Sequence, residues 1–265
     1  MKIVANLFPN GKPFALTMSY DDGREFDRRL VSIFNTYGIR GTFHLNGGRL
    51  GKENFVTAAE IPELYKNHEV SSHMLTHPYP ETCPDTTTMY ECYEDRRILE
   101  AACGYTVRGM SYPYGNYTQQ NIDLLRACGM RYSRTTLSTN DFRLPEDFMR
   151  WHPTTHHKGD LIGLYDRMLT AKEYQYRHQT LYIWGHSYEF NNDNNWEVIE
   201  RFCDHAGGND KVWYATNIEL YDYKTASKEL YIGVDGRTVF NPSRLSVWVT
   251  ADGDAVEIKP GENRL

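Results

Sequence analysis

The sequence predicts an α/β fold built on a parallel sheet, followed by a small all-β appendage. From residue 14 to about 220, short apolar runs that end in loops alternate with segments of helical period. Residues able to do chemistry collect where those runs end, the carboxyl edge at which parallel α/β sheets carry their sites. After residue 222 the texture changes to stretches of alternating apolar and polar residues around Asp-Gly turns.

Residues 14–20 (FALTMSY) form a first strand closed by Asp-Asp-Gly. Over 24–37 the period becomes helical through Phe26, Leu30, Ile33, Phe34 and Tyr37, with Gly38 as the stop. The unit recurs as a strand at 41–46, a short helix at 58–67 and a strand at 69–72. Asp85 caps a helix that Gly104 ends. A strand at 110–114 precedes a helix that opens at Thr118, carries Ile122, Leu125 and Cys128, and stops at Gly129. Further strands are expected at 130–135, 160–165, 181–185 and 212–215, with a helix over 195–206. Such alternation packs helices outside a parallel sheet, and period alone fits a closed barrel or a doubly wound sheet. Residues 230–240 and 245–258 read as two hairpins covering an edge or a barrel end. The expected division is therefore 1–222 and 223–265.

At 265 residues the chain can bury roughly three quarters of its surface and needs neither disulfide nor metal to hold together. Its 29 Lys and Arg against 35 Asp and Glu give a net charge of −6 with mixed signs, which argues against nucleic acid or an anionic membrane as partner. Mean hydropathy is −0.64, and no apolar run approaches the roughly 20 residues of a membrane helix. The first residues, MKIVANLFPNGK, lack the apolar stretch of a signal peptide. Cys83, Cys92, Cys103, Cys128 and Cys203 are odd in number and without C-x-x-C spacing, so reduced thiols and a cytoplasmic location are expected.

The strand ends carry Asp21-Asp22-Gly23, His73 with His77, Pro113-Tyr114-Gly115, and His186. Histidines at i and i+4 can reach one ion, and Pro78 biases His77 away from helical geometry. An H-x-x-x-H pair alone is usually a surface pair, and Asp-Asp-Gly alone is usually a turn. After neighbouring strands the two together make a ligand set, Asp22, His73 and His77, for zinc or a neighbouring divalent ion such as cobalt or nickel. Three protein ligands leave a position for water, and Asp21 stands free beside it as a base.

Five stretches in order, SYDDG (19–23), GIRGTFHLN (38–46), HEVSSHMLTHP (68–78), YPYG (112–115) and WGH (184–186), resemble the polysaccharide deacetylases, the chitooligosaccharide deacetylase-like carbohydrate esterase family 4. The resemblance spans residues 14 to about 220. It implies a distorted (β/α)7 barrel and metal-dependent removal of N- or O-acetyl groups from a saccharide, N-acetyl being favoured. It also implies Asp21 as base, Asp22, His73 and His77 as metal ligands, His186 as the acid that protonates the leaving group, and the Tyr114 backbone N–H as oxyanion donor.

The chain departs from the family pattern at Ser111, where an arginine is usual, and Arg108 or Arg150 is expected to supply the missing cation. Arg150-Trp151-His152 stands where the family has an acid and a tryptophan, and Trp184 replaces a leucine. Tyr112, Tyr114, Trp151 and Trp184 are the expected sugar-stacking residues, or they cap the barrel. Trp151, His152, His156 and His157 read as a groove wall or loop, since no acidic ligand lies among them in sequence. Two other functions fit the sequence: hydrolysis of amide bonds in a small cyclic ureide or imide, and carbohydrate binding without catalysis on the same scaffold.

Overall fold

The computed structural model describes residues 2–265. Eight strands form the central sheet: β1 (Phe14–Asp22), β2 (Gly41–Leu45), β3 (Glu69–Ser72), β4 (Gly109–Ser111), β5 (Tyr132–Arg134), β6 (Thr155–His156), β7 (Gln179–Gly185) and β8 (Val212–Tyr214). Their order is β5-β4-β3-β2-β1-β7-β6 with every neighbour parallel, and β8 pairs with the first residues of β1. The sheet curls so far that residues 151–157 span the remaining gap: Trp151 bridges to Arg134 at one end, and β6 pairs with β7 at the other. The result is a distorted seven-stranded α/β barrel with added antiparallel sheets.

Strand β1 is buried as far as Asp21, yet its two faces differ. Phe14, Leu16, Met18 and Tyr20 join the apolar layer beneath the helices. The alternate residues Thr17, Ser19 and Asp21 make hydrogen bonds inside the barrel, Thr17 to Asn217 at 2.8 Å and Ser19 to His44 at 2.9 Å. Such an interior is polar, and Asp21 sits at its top.

Eight helices flank the sheet: α1 (Asp27–Thr36), α2 (Ile61–Leu64), α3 (Asp85–Cys103), α4 (Gln119–Ala127), α5 (Leu161–Leu169), α6 (Ser187–Asn192), α7 (Glu197–Ala206) and α8 (Asn217–Lys228). Helix α3 ends at Gly104, whose φ of 79° is the left-handed stop the sequence predicts. Thr118 and Asn121 close α4 with a reciprocal capping box. Residues 160–165, expected as a strand, instead begin α5. The Asp160 carboxylate accepts from the Gly163 N–H at 2.9 Å, and Leu161, Leu164, Tyr165 and Met168 bury one helical face. Their apolar run was too short for its period to separate strand from helix. The missing strand is the two-residue β6.

Helix α8 runs unbroken across residue 222, where the change of texture placed a boundary. Beyond it, Val247–Ala251 pairs with Asp254–Ile258 and with Ile3–Val4 near the amino terminus, while Thr238–Asn241 pairs with Tyr231–Ile232 and Gly261–Arg264. Val239, Val247, Val249 and Ile258 share an apolar cluster with Leu220 and Tyr223 of α8 and with Ala15 of β1. All five cysteines are free thiols. Among the described residues no helix is long and apolar enough to cross a membrane.

His178 lies buried at the barrel end away from the loops just described, against Phe8 and Tyr223, and bonds the Leu7 carbonyl through Nε2 at 3.2 Å. Burial, helped by Lys224, pulls its pKa down to about 3, so it folds neutral. A histidine so depressed stabilises the fold fully above its unfolded pKa of about 6.5, and that contribution is lost as pH falls below it. His178→Gln, which keeps a donor for Leu7, should therefore flatten the acid loss of stability by about 1.4 kcal/mol per pH unit below 6.5. Denaturant unfolding of both proteins at pH 7 and pH 5 measures this, and parallel pH dependences would contradict it.

Candidate active site

Strand register builds the site. Asp22 pairs with Leu45, Leu45 with Ser72, Ser72 with Met110, and Met110 with Ser133, a continuous row around the sheet. His73, Ser111 and Arg134 stand one residue above that row, and Asp21 one below. On the other side Tyr20 pairs with Gly185, which sets His186 beside Asp21. Residues as far apart as Asp21 and His186 thus meet at one rim because parallel strands start their loops at one level.

Asp22, His73 and His77 converge. Asp22 Oδ1 is buried and accepts no hydrogen bond, while His77 Nε2 stands 3.6 Å and His73 Nε2 3.8 Å from it. These separations exceed a hydrogen bond and match those between ligand atoms of one ion with bonds of about 2.0–2.2 Å. The donor chemistry fits as well. His73 Nδ1 contacts the Ser111 carbonyl oxygen at 3.0 Å, an acceptor only, so Nδ1 carries the proton and Nε2 keeps its lone pair. Burial pulls both imidazoles below their ordinary pKa, His77 to about 4, so both are neutral as ligands must be. Two imidazoles and a carboxylate suit zinc or a similar transition ion.

The loop that carries the histidines is clamped from beneath. Asn46 Nδ2 donates to the carbonyls of His73 and Met74 at 2.7 Å each, and the Glu91 carboxylate on α3 accepts from the Thr76 N–H at 2.8 Å and its hydroxyl at 2.7 Å. His77 has φ 64°, as the bias of Pro78 against the right-handed helical region allows. Among the described residues, non-glycine residues with positive φ elsewhere are all Asn or Asp. Met74, His77 and Tyr114 are the exceptions, and all three lie at this rim. Left-handed backbone at such residues costs about 1–3 kcal/mol each, and its concentration here marks a site held to shape by its surroundings. Gly23, at φ 65° and with Leu45 Cδ2 only 2.9 Å from where a Cβ would stand, permits the turn behind the carboxylates.

Asp21 is buried beside this cluster. Its Oδ2 pairs with the guanidinium of Arg134, and its Oδ1 accepts from the Ser111 hydroxyl at 3.1 Å. Burial alone would raise the Asp21 carboxyl. Arg134, with His73 and His44 behind it, overrides that and holds it well below the usual carboxylate range. The cation that Ser111 lacks thus comes from Arg134 at the end of β5. Arg108 is engaged by Asp222 and Arg150 by Asp147, so neither expected arginine reaches Asp21. Arg134 is fully buried, and the Trp184 ring lies over it at 4.4 Å. The available signal was an arginine at the carboxyl end of the strand expected over 130–135.

His186 flanks α6, and its Nδ1 hydrogen-bonds Glu189 at 2.9 Å, leaving Nε2 unbonded. Burial lowers its pKa, but the Glu189 bond, Asp21 and Asp22 outweigh burial and raise it above the ordinary imidazole value. Glu189 is also the acid that the 151–157 cluster lacked in sequence. His156 and His157 approach its Oε2 at 3.2 and 3.4 Å, and Lys158 its Oε1 at 3.2 Å. Glu189 follows His186 by three residues, a capping-box spacing that could have found it.

The aromatic expectations need correction. Trp151 is buried among Tyr132, Phe148 and Tyr182, Tyr112 is buried with its hydroxyl on the Met149 carbonyl, and Trp184 covers Arg134. Residues from strands that close a barrel are packed from both sides, which leaves these rings no face for a sugar. The exposed aromatics at the rim are Tyr114 and Tyr79, stacked at 3.8 Å, with Tyr114 also edge-on to His77 at 4.4 Å.

Because Arg134 is the only cation bonded to Asp21 among the described residues, Arg134→Met should leave a buried carboxylate unpaired and cost about 3–5 kcal/mol of stability. The double variant Arg134→Met/Asp21→Asn should recover much of that loss. Denaturant unfolding of the two singles and the double gives the coupling, and additive losses would show the pair to be independent.

Residues 9–133 match the family model described as polysaccharide deacetylase. Among solved structures, a provisionally named polysaccharide deacetylase of Mycobacterium smegmatis aligns with TM-score 0.65 and 16% identity over 85% of this chain and 94% of that one. A carbohydrate esterase family 4 pseudoenzyme of Bacillus anthracis aligns with TM-score 0.51 and 21% identity over 81% of this chain. A Streptococcus pyogenes deacetylase in complex with acetate aligns with TM-score 0.47 and 16% identity over 51% of this chain. The chain spans 66% of the pseudoenzyme and 61% of the streptococcal protein. Residues 9–133 are thus similar to the polysaccharide deacetylases, and the chain shares the barrel fold of the Mycobacterium smegmatis protein.

Proposed function

We propose that the chain is a metal-dependent hydrolase that removes an acetyl group, N-acetyl rather than O-acetyl, from a saccharide. The observation that carries this reading is Asp22 Oδ1, buried and unbonded opposite two neutral imidazoles, with the separately paired carboxylate of Asp21 next to it. Asp22, His73 and His77 would hold the divalent ion, zinc by the donor set. Bound there, it would polarise an acetyl carbonyl and acidify water beside it.

The remaining work falls to the chain's own groups. Asp21 stays ionised because Arg134 neutralises it, so it can orient a water molecule and accept its proton at the free edge of the carboxylate. His186, charged through Glu189, holds a proton at Nε2 for the departing sugar nitrogen. The Tyr114 backbone, left-handed at the rim beside His77, is our candidate for the N–H that meets the developing oxyanion. The stacked pair Tyr79 and Tyr114 offers an exposed face to a sugar ring, in place of the buried tryptophans. Retention of Asp21, Asp22, His73, His77, Arg134 and His186 favours catalysis over the inactive scaffold that the similarity to a pseudoenzyme brings to mind.

Acetate release from N-acetylglucosamine oligomers tests the reading. Asp21→Asn should lose at least a thousandfold in kcat and keep its metal, whereas His73→Ala should lose the metal. Full activity of Asp21→Asn would overturn the base assignment, and metal-loaded wild type without acetate release would leave a binding scaffold. The charge on His186 gives a second check. A group with a raised pKa works as an acid up to that pKa, so activity should fall on the alkaline side above the ordinary imidazole value of about 6.5. Glu189→Gln removes the strongest influence raising it and should move the alkaline limb of kcat/KM to lower pH. An unmoved limb would mean that His186 is not the group titrating.

A further inference from the structure

Beyond the metal cluster, the rim holds two guanidinium groups whose charge no side chain answers. Arg24 follows the Asp21-Asp22-Gly23 turn. Its guanidinium lies over Phe55 at 4.6 Å and over Tyr188 at 5.6 Å, and its Nε is buried without a hydrogen-bond partner. Arg49 approaches the same Phe55 ring at 5.7 Å and donates only a long 3.3 Å bond to the Thr76 carbonyl. Among the described residues neither has a carboxylate as ion-pair partner, although Arg28 four residues on from Arg24 takes Glu60 in a fork.

Both groups are tied to the site. The Tyr188 ring beneath Arg24 stands 5.1 Å from the ring of His186, and the Thr76 carbonyl that Arg49 touches belongs to the residue before His77. The loop bearing Phe55 is fixed to the turn behind Asp22, since the Val56 N–H donates to the Gly23 carbonyl at 3.0 Å and the Glu25 N–H to the Asn54 carbonyl at 3.0 Å. Of the acids around the metal cluster, Asp21 is engaged by Arg134 and Glu189 by Lys158 and its histidines, while Glu25 and Glu53 on the two adjoining turns pair with neither arginine. Asp22 is the proposed ligand of the ion.

Two like charges gathered on one aromatic ring repel unless an anion comes between or beside them. A guanidinium stacked by its face keeps its in-plane N–H groups free and already oriented, which is the geometry that takes carboxylate or phosphate oxygens two at a time. A stacked arginine fixed only to hold its surroundings would have its edge satisfied by protein acceptors, as Arg29, over Trp196 at 4.4 Å and bonded to Glu200 at 3.0 Å, has. The Arg24 Nε is not.

We propose, resting on the deacetylase reading of the same site, that the saccharide substrate carries an anionic group, a carboxylate or a phosphate, and that Arg24 and Arg49 seat it at the Phe55 side of the rim. The substrate class is thus an acidic N-acetylated sugar, and neutral N-acetylglucosamine oligomers would be turned over without the benefit of this contact.

The test is calorimetric binding of three probes to the zinc-loaded full chain: N-acetylglucosamine, N-acetylglucosamine 6-phosphate, and N-acetylmuramic acid with its carboxylate. Wild type should bind at least one acidic sugar about tenfold more tightly than the neutral one, with the preferred arm telling phosphate from carboxylate. Arg24→Gln and Arg49→Gln, each tested alone, should lose most of that preference. Lys52→Gln, which removes an exposed charge near Arg49 and keeps the backbone carbonyl that accepts the Phe55 N–H, should retain it. Equal affinity for all three sugars, no measurable binding of any, or a preference that survives both arginine variants would overturn the proposal. Loss of the preference equally in Lys52→Gln would also overturn it, since general surface charge would then suffice. A chain that prefers acidic sugars but releases no acetate would fail the deacetylase reading and leave the anion contact standing.

Discussion

A carboxylate closed off from water at the head of a barrel becomes neutral unless a cation keeps it charged, and the pairing of Asp21 with Arg134 is that cation's work. The rest of the site depends on it. An Asp21 that took up a proton would stand beside the metal cluster as a donor with nothing to accept, and the Ser111 hydroxyl, now donating to it, would have to turn. Ser111 links the two halves of the site, because it also meets His73 Nδ1 at 2.7 Å and so helps fix which nitrogen of that ring faces Asp22. Asp21 and the cluster of Asp22, His73 and His77 are therefore joined through Ser111, and are held by β1, β4, β5 and the loop after β3.

The barrel makes this unit possible by being polar inside. Small hydroxyls on β1 leave room for His44, whose neutral imidazole, pushed by burial down to about 3, spans from Ser19 toward the carboxylate without adding a second cation. Apolar stabilisation is left to the layer between sheet and helices, where Phe14, Leu16, Met18 and Tyr20 face outward. Strain is concentrated at the rim in Met74, His77 and Tyr114, where Asn46 and Glu91 hold the loop against it. Stability and site are thus assigned to opposite faces of the same strands.

Much of this was legible in the chain because it is written locally. Glycine stops at Gly38 and Gly104, the cap at Thr118 and the period of α1 all act within one turn of helix, and motif residues at strand ends share a rim in any parallel α/β fold. What escaped is what arises from closure. Thr155–His156 is a strand only because β5 and β7 curl to bring residues 151–157 between them, so Trp151 became core and α5 began where a strand was expected. Arg134 escaped because its partner is more than a hundred residues away, and no spacing rule connects β1 to β5. Ser111 read as a loss when taken alone. It is the hydroxyl that accommodates an arginine arriving from the neighbouring strand, with which it is in register.

The central claim is that Asp22, His73 and His77 form one ligand set with Asp21 left outside it. X-ray absorption at the zinc edge of the protein loaded with one equivalent addresses it most directly. The account predicts a shell of nitrogen and oxygen donors at about 2.0–2.2 Å containing two imidazoles, reduced to one in His77→Ala and unchanged in Asp21→Asn. A shell without imidazoles, one containing sulfur, or one that changes when Asp21 alone is altered would contradict it.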